Sequence, residues 1–365
     1  MSTGLDGVVA AETILCHTDS ARGMIWVRGV ALPDLLARHG FEGTVALLWE
    51  GFAGEGLSRA GLRDRFGAAR VAAFANRDRW LGLARGVPLY EGVRLALAAQ
   101  PDSSAPAALV GAMTVAVAAL LRAGQGQEPV APDPALTTAA DVLRMFHGAP
   151  APDSAVAALD TYFTAMVESG LSASSFTARV IASTRASLAN AVLGAWGAFT
   201  GTLHGGAPGP TLDMLDAAAA APDLDAWLEA KLRGGERLMG FGHRVYRGND
   251  PRAEAMRASM QRMGQLARRL DFATHVEQRV AAAIERVKPG RTLPPNVEIM
   301  AALLLDAVGF PRSGFTPIFA TCRVAGWLAH AMEQQKTGRM IRPTSAYVGP
   351  AIGAPDGGTI PAPAA

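Results

Sequence analysis

Four stretches of the 365-residue chain carry side chains able to do acid–base or anion-binding chemistry. The first, Gly201-Thr-Leu-His-Gly-Gly-Ala-Pro-Gly-Pro210, sets His204 at the end of a long apolar run and the start of a glycine-dense loop. Such a loop lets a ligand approach the backbone closely. The imidazole can hydrogen-bond a substrate oxygen there, or it can satisfy the free carbonyls of a helix end. The second, Met239-Gly-Phe-Gly-His-Arg-Val-Tyr-Arg-Gly-Asn-Asp-Pro-Arg252, combines His243 with Arg244, Arg247 and Arg252. A planar guanidinium gives carboxylate or phosphate two parallel hydrogen bonds, so this stretch reads as an anion site, or else as a solvated basic loop. Gly240 and Gly242 do not make a dinucleotide fingerprint, which needs a third glycine and a preceding strand. In the third, Pro294-Pro-Asn-Val-Glu298 opens a helix whose next residues are apolar. Glu298 is then a general base beside a buried face, or a first-turn acid that favours the helix dipole. The fourth pair is Arg323, within an otherwise apolar helix, and Arg342, just before Pro343. A charge inside such a helix needs a partner or a ligand. Two His, one acid and several Arg on separate loops describe a site that holds a di- or tricarboxylate and moves protons beside it.

The elements that position these residues are helical. Apolar residues recur with helical period over Leu32 to Ala37, Thr44 to Trp49, Leu57 to Ala75, Tyr90 to Ala99, Ala107 to Ala123, Leu136 to Phe146 and Ser154 to Glu168. The same period marks Ser174 to Thr200, Pro210 to Ala219, Leu224 to Arg233, Pro251 to Leu270, Phe272 to Arg286, Asn296 to Val308 and Phe315 to Gln335. Strand alternation is confined to Gly23 to Val30, where a short hairpin is expected. From Pro350 onward the chain is Pro, Gly and Ala and predicts a loose tail.

Half the residues are hydrophobic and 18% are charged, with mean hydropathy +0.18, which excludes disorder. Only 6% are aromatic, so the core is built of Ala, Leu and Val, as in closely packed helices. Against 32 Asp and Glu stand 34 Lys and Arg, so no basic field advertises nucleic acid or an anionic membrane. An anionic ligand must meet a local cluster. Cys16 and Cys322 match no metal-ligand spacing and argue against a disulfide framework or a metal site. Together with an N-terminus that lacks a basic start before an apolar run, they point to the cytoplasm. Ser103 to Leu121 and Ala186 to Leu212 carry no formal charge with His204 neutral, but they are dominated by small residues and read as buried helices rather than membrane spans. Gly197 and Gly201, four apart on that second stretch, predict a close approach of another backbone, in the core or across a dimer interface. The length suits two domains at about 150 residues each. The Arg-rich segment between Gly209 and Pro311 is a candidate for the second, inserted in the first.

From the Asp19 to Gly29 turn to the Ile341-Arg-Pro-Thr-Ser-Ala-Tyr-Val-Gly349 ending, the chain resembles the citrate synthase family. Gly240 to Arg252 is similar to the family's signature, and Leu203-His-Gly-Gly206 is a second marker. The resemblance implies an all-α homodimer, with a large domain of residues 1–208 and 318–365 and a small domain of residues 209–317. It implies that His204 stabilises the enol of an acyl-CoA, that His243 donates to the carbonyl oxygen of an oxoacid such as oxaloacetate, and that Glu298 is the base. Arg252, Arg323 and Arg342 would hold the oxoacid carboxylates, Arg342 reaching the partner subunit's site. Met239, Gly240, Phe241, Gly242, Arg247 and Asn296 match where the family binds coenzyme A, which serves as a thioester substrate, with no tightly bound cofactor. Two positions depart from the family pattern. The usual base is Asp, whereas this chain has Glu298. The triplet that commonly reads Asp-His-Glu or Asp-His-Gly is Glu168-Ser169-Gly170 here, so Ser169 replaces an oxoacid-binding His. The expected reaction condenses acetyl-CoA or propionyl-CoA with oxaloacetate or a similar 2-oxoacid. The alternatives are a catalytically weak homologue that binds coenzyme A or carboxylates, and the same chemistry on a different oxoacid.

Overall fold

The computed structural model describes residues 4–5, 7–19, 22–242, 250–264 and 267–348. Strands β1 (Cys16–Asp19), β2 (Met24–Val27) and β3 (Val30–Ala31) form a small antiparallel sheet in that order, with Cys16 opposite Val27 and Thr18 opposite Ile25. Helix α1 (Leu32–Asp34) passes through a π-helical turn at Leu35–His39 into α2 (Gly40–Trp49). Then come α3 (Arg59–Ala75), α4 (Asp78–Ala84), α5 (Leu89–Ala98), α6 (Pro106–Ala123), α7 (Thr138–His147), α8 (Asp153–Met166), α9 (Ala173–Ser183) and α10 (Leu188–Phe199). Beyond a turn lie α11 (Pro208–Ala220), α12 (Leu224–Arg233), α13 (Pro251–Gln261), α14 (Ala267–Val287), α15 (Val297–Ala307) and α16 (Phe315–Thr337). The protein is all-α apart from the N-terminal sheet.

Helices α6 and α16 run through the core. Every residue of α16 from Phe315 to Gln334 is buried, and the helix packs on α9, α6, α10, α8 and α2. Helix α6 is long and apolar enough to cross a bilayer, but 72% of it is buried inside the protein, which makes it a core helix. Helices α11 to α15 pack on one another, α12 against α14 and both α11 and α13 against α15, and α13 packs as closely on α8, with smaller contacts from the group to α1 and α16.

The helical period is a good guide to where helices lie and a poor one to where they break. The stretch expected as one helix from Ser174 to Thr200 is two, α9 and α10. The chain turns at Arg185, whose φ is +64°, and restarts where the Ser187 hydroxyl accepts from the Asn190 N–H. Such a cap satisfies one of the free N–H groups of a helix start. The stretch expected from Pro251 to Leu270 stops at Gln261, with Gly264 at φ +69° before α14. Helix α4 escapes the apolar pattern, because seven residues offer too short a stretch to show a period. The expected hairpin gains a third strand, β1, from residues before it. The expected tail from Pro350 lies outside the described residues.

Within one subunit, close backbone approach falls at other glycines than Gly197 and Gly201. A Cβ added at Gly197 would meet no atom within 4 Å, whereas one added at Gly194 of the same helix would meet Ile181 of α9. Gly111 of α6 lies where a Cβ would sit 2.6 Å from the Ala69 carbonyl carbon of α3. Backbone cannot yield there as a side chain would, so Gly111→Ala should lower stability by about 1–3 kcal/mol, as overpacking does. Urea denaturation measures this, and a change within about 0.5 kcal/mol would show that the α3–α6 crossing adjusts freely.

Candidate active site

The base expected at Glu298 sits in the first turn of α15. Asn296 caps this helix, its Oδ1 accepting from the Glu298 N–H at 2.9 Å. The same side chain donates through Nδ2 to the Gly242 carbonyl at 3.0 Å, and its backbone N–H donates to the Gly240 carbonyl at 2.9 Å. The Gly242 N–H in turn reaches the Pro294 carbonyl at 2.8 Å, so Met239–Gly242 is laced to the entry of α15. Gly240 fits there because its φ is +83° and a Cβ would lie 2.6 Å from Ile299. Asn296 therefore links the glycine strip to the helix that carries the carboxylate. Glu298 itself is half-buried, and its Oε2 is sealed from solvent without a hydrogen bond among the described residues. Burial pushes the carboxyl up to about 7. Arg252 and Arg323 pull against this, and Asp250 adds to it.

His204 lies in the turn between α10 and α11, edge-on to Phe199 at 5.1 Å. Burial, then the Arg323 charge, pushes its pKa down to about 4, so the ring is neutral at pH 7. A relay fixes its tautomer. Ser174 Oγ accepts from Trp327 Nε1–H at 3.0 Å and lies 2.8 Å from His204 Nε2 and 3.2 Å from Ser172 Oγ. The Ser174 backbone N–H also points at Nε2, at 3.3 Å. With Nε2 accepting, the network assigns the ring hydrogen to Nδ1 and frees that N–H for a ligand.

The arginines are held from below. Arg252, one residue into α13, makes a bidentate pair with Asp250, Nε to Oδ1 at 2.9 Å and Nη2 to Oδ2 at 2.6 Å. Arg323 on α16 donates through Nε to the Met166 carbonyl at 2.7 Å and through Nη2 to Ser169 Oγ at 3.2 Å, and lies over the Phe319 ring. Ser169, His204, Arg252, Asn296, Glu298 and Arg323 all line one cavity of about 480 Å³. Arg342 is exposed on the segment after α16 and is not among the residues lining the cavity. Met239 to Gly242 stand behind Asn296 rather than in the cavity wall. His243 and Arg247 lie outside the described residues.

The cavity also takes residues that the sequence did not single out. Cys16, His17 and Thr18 of β1 form part of its wall, with Met166, Gly170 to Ser172 and Phe319. No signal in the strand's sequence marks it as a cavity wall. The spacing of Trp327, four residues after Arg323 on one helix, could have placed it on the same face. Burial, with the Glu168 charge adding to it, pushes the Cys16 thiol up to about 12, so it stays protonated.

Helical architecture, a cavity flanked by two guanidiniums, a neutral imidazole donor and a carboxylate of raised pKa define a protein built for acid–base chemistry on an anionic substrate. Comparison with known proteins gives the family. The model for "Citrate synthase, C-terminal domain" matches residues 4–344. The chain is 38% identical over 359 residues to the Mycobacterium tuberculosis protein named "Putative citrate synthase 2", covering 97% of this chain and 94% of that one. It is 33% identical over 361 residues to the 2-methylcitrate synthase of the same organism, covering 95% and 90%. Among solved structures, citrate synthase from Thermotoga maritima superposes with a TM-score of 0.83 at 28% identity, over 99% of this chain and 98% of that one. The chain belongs to the citrate synthase family. These are acyltransferases that use a coenzyme A thioester as substrate, without a tightly bound cofactor, and are typically dimeric.

Ser174→Ala tests the relay apart from any activity. It leaves Trp327 Nε1 without its acceptor, which should cost about 1–3 kcal/mol in denaturation. The nitrogen shifts of His204 should move from a single tautomer to a mixture, and unchanged shifts would show that something else orients the ring.

Proposed function

We propose that the protein condenses an acyl-CoA, acetyl-CoA or propionyl-CoA, with oxaloacetate or a closely similar 2-oxoacid, giving citrate or a citrate-like acid and free coenzyme A. The observation that carries this reading is the pairing of His204 and Glu298 on one cavity, one a neutral donor and the other a carboxyl titrating near neutrality. Glu298 takes a proton from the carbon next to the thioester, while His204 Nδ1–H stabilises the charge that develops on the thioester oxygen. A base and a donor acting together make this deprotonation accessible. The resulting enol carbon attacks the oxoacid carbonyl carbon, His243 gives a proton to the carbonyl oxygen, and water then cleaves the thioester to release coenzyme A.

Arg252 and Arg323 hold the oxoacid carboxylates in this reading, with Ser169 beside Arg323, and Arg342 completes the set in the partner subunit's site of a homodimer. Met239, Gly240, Phe241, Gly242, Arg247 and Asn296 bind coenzyme A. Residues 1–208 and 318–365 form the large domain, and residues 209–317 form the small domain that closes over the substrates and excludes water. We place the enzyme in the cytoplasm, a setting that suits its two free thiols.

A second reading rests on Ser169. A hydroxyl that already accepts from Arg323 Nη2 stands where the family commonly has an imidazole, so a different oxoacid, or ligand binding with little turnover, is the competing outcome. Purified protein given acetyl-CoA or propionyl-CoA with oxaloacetate should release free coenzyme A, and Glu298→Gln should lose at least about 100-fold of the rate. Release no greater than that of Glu298→Gln sinks the proposed reaction, and calorimetric binding without release supports the second reading. Turnover gained by Ser169→His assigns the deficit to the acceptor alone.

The pH profile follows from the Glu298 carboxyl. It must be ionised to accept the proton, and its pKa is raised to about 7. Hence kcat/KM for the acyl-CoA should climb through pH 7 and level off above it, falling about tenfold per pH unit below. A profile flat from pH 5.5 to 8 would remove Glu298 as the base.

A further inference from the structure

Behind the cavity wall lies a second cluster of ionisable groups that no step of the proposed reaction uses. Glu168, between α8 and α9, Arg179 of α9, and His330 and Glu333 of α16 are all buried. They touch in series. Glu168 Oε2 faces His330 Nε2 at 3.2 Å, an electrostatic contact in which neither atom makes a hydrogen bond among the described residues. His330 Nδ1 accepts from Arg179 Nε at 2.9 Å, which assigns the ring hydrogen to Nε2, on the Glu168 side. Arg179 then pairs through Nη2 with Glu333 and donates through Nη1 to Gln334 Oε1 at 3.0 Å. Burial opposes ionisation of Glu168, yet His330, Arg323 and the Gly170 N–H hold its carboxyl below the ordinary carboxylate value. Stability alone does not account for such a cluster, because apolar residues of similar volume often serve a core as well or better.

The two ends of the series explain it. At one end, Glu168 Oε1 accepts from the Ser169 N–H at 2.9 Å and the Gly170 N–H at 2.6 Å, which fixes the turn from which the Ser169 hydroxyl meets Arg323. At the other, Glu333 accepts from Thr13 Oγ1 at 2.8 Å and from the Ile14 N–H at 2.9 Å, two residues before β1 begins to line the same cavity. Two walls that are far apart in sequence are thus tied to the helix that also carries Arg323. Gly326 lets helix α16 come this close, since a Cβ there would lie 2.3 Å from the Val167 carbonyl oxygen and 2.9 Å from Glu168 Oε2.

We infer that His330 is a positioning residue, the middle member of a buried Glu168–His330–Arg179–Glu333 series that sets the oxoacid end of the cavity by holding the Ser169–Gly170 turn and the β1 wall in register. The assignment of this end to the oxoacid rests on the proposed reaction. Among the described residues, no hydrogen bond or ion pair joins either end of the series to Glu298 or the Asn296-laced glycine strip, so the acyl-CoA end should be left alone.

The test compares the wild type with His330→Phe, which keeps ring volume without either nitrogen, and with His330→Gln, which keeps a donor and an acceptor. KM for oxaloacetate should rise about tenfold in His330→Phe, with KM for acetyl-CoA changed less than about twofold, and His330→Gln should recover most of the loss. Amide hydrogen exchange should quicken together in residues 13–18 and 168–172 while α6 keeps its protection. Equal rises in both KM values, exchange that quickens throughout the protein, or exchange that quickens at only one of the two walls would overturn the inference. Should His330→Phe not fold, Glu333→Gln is read by the same measurements. Should the wild type release no coenzyme A with any oxoacid, the proposed reaction fails, and the paired exchange response still decides whether the two walls are coupled.

Discussion

A stripe of hydrogen-bonding side chains on a buried helix is the constraint on which the rest of the structure depends. Arg323, Trp327, His330 and Gln334 fall at i, i+4, i+7 and i+11 of α16, on one face of a helix otherwise packed mostly in apolar side chains. Polar groups so deep must find partners within the protein, since leaving one charge of a buried pair alone costs about 3–5 kcal/mol. The partners they find are the parts of the cavity. Arg323 meets the Met166 carbonyl and Ser169, Trp327 reaches His204 through Ser174, and His330 and Gln334 meet Glu168 and Arg179. One helix, placed by its apolar packing, thereby sets the positions of residues from four other segments.

The same burial tunes the two groups at the centre of the proposed chemistry in opposite directions. Desolvation disfavours whichever form is charged, so it lowers His204 to about 4 and raises Glu298 to about 7. One result is an imidazole that cannot be a cation at neutral pH and therefore acts as a neutral donor. The other is a carboxyl poised to exchange a proton near the working pH. Arg323 contributes to both: its charge further lowers the imidazole and restrains the rise of the carboxyl. Burial beside fixed guanidiniums separates acid from base roles more effectively than either side chain could by its own chemistry.

Much of this was legible in the sequence. Helix positions followed from apolar period, and the residue types of the site stood out against their neighbours: His204 in a glycine loop, Glu298 at a helix start, Arg323 in an apolar run. The breaks were less legible, because Arg185 in a left-handed conformation carries no compositional mark and only tertiary packing imposes it there. The orienting partners were illegible for a different reason. Ser174 sits 30 residues from His204 and 153 from Trp327, so the relay exists only once α9, α16 and the α10–α11 turn have come together. Likewise β1 has a short strand's ordinary sequence, and only Glu333, more than 300 residues away, reveals why its entry is pinned against α16.

The departure at Ser169 changes meaning in this setting. Read alone, replacing an imidazole by a hydroxyl removes a cationic donor from an anion site. In the folded protein the hydroxyl accepts from Arg323 Nη2, and the turn beneath it is held by Glu168 through two backbone N–H groups. The wall is therefore shaped by engaged polar atoms rather than a gap left by a missing ring. In the proposed reaction such a site would meet its acceptor chiefly through the charges of Arg252 and Arg323, which suit carboxylates. It relies less on any donor at position 169. In the proposed reaction both guanidiniums stay in place while the space beside them is altered, so selectivity among 2-oxoacids is the property on which this substitution would act most directly, ahead of the proton chemistry at Glu298.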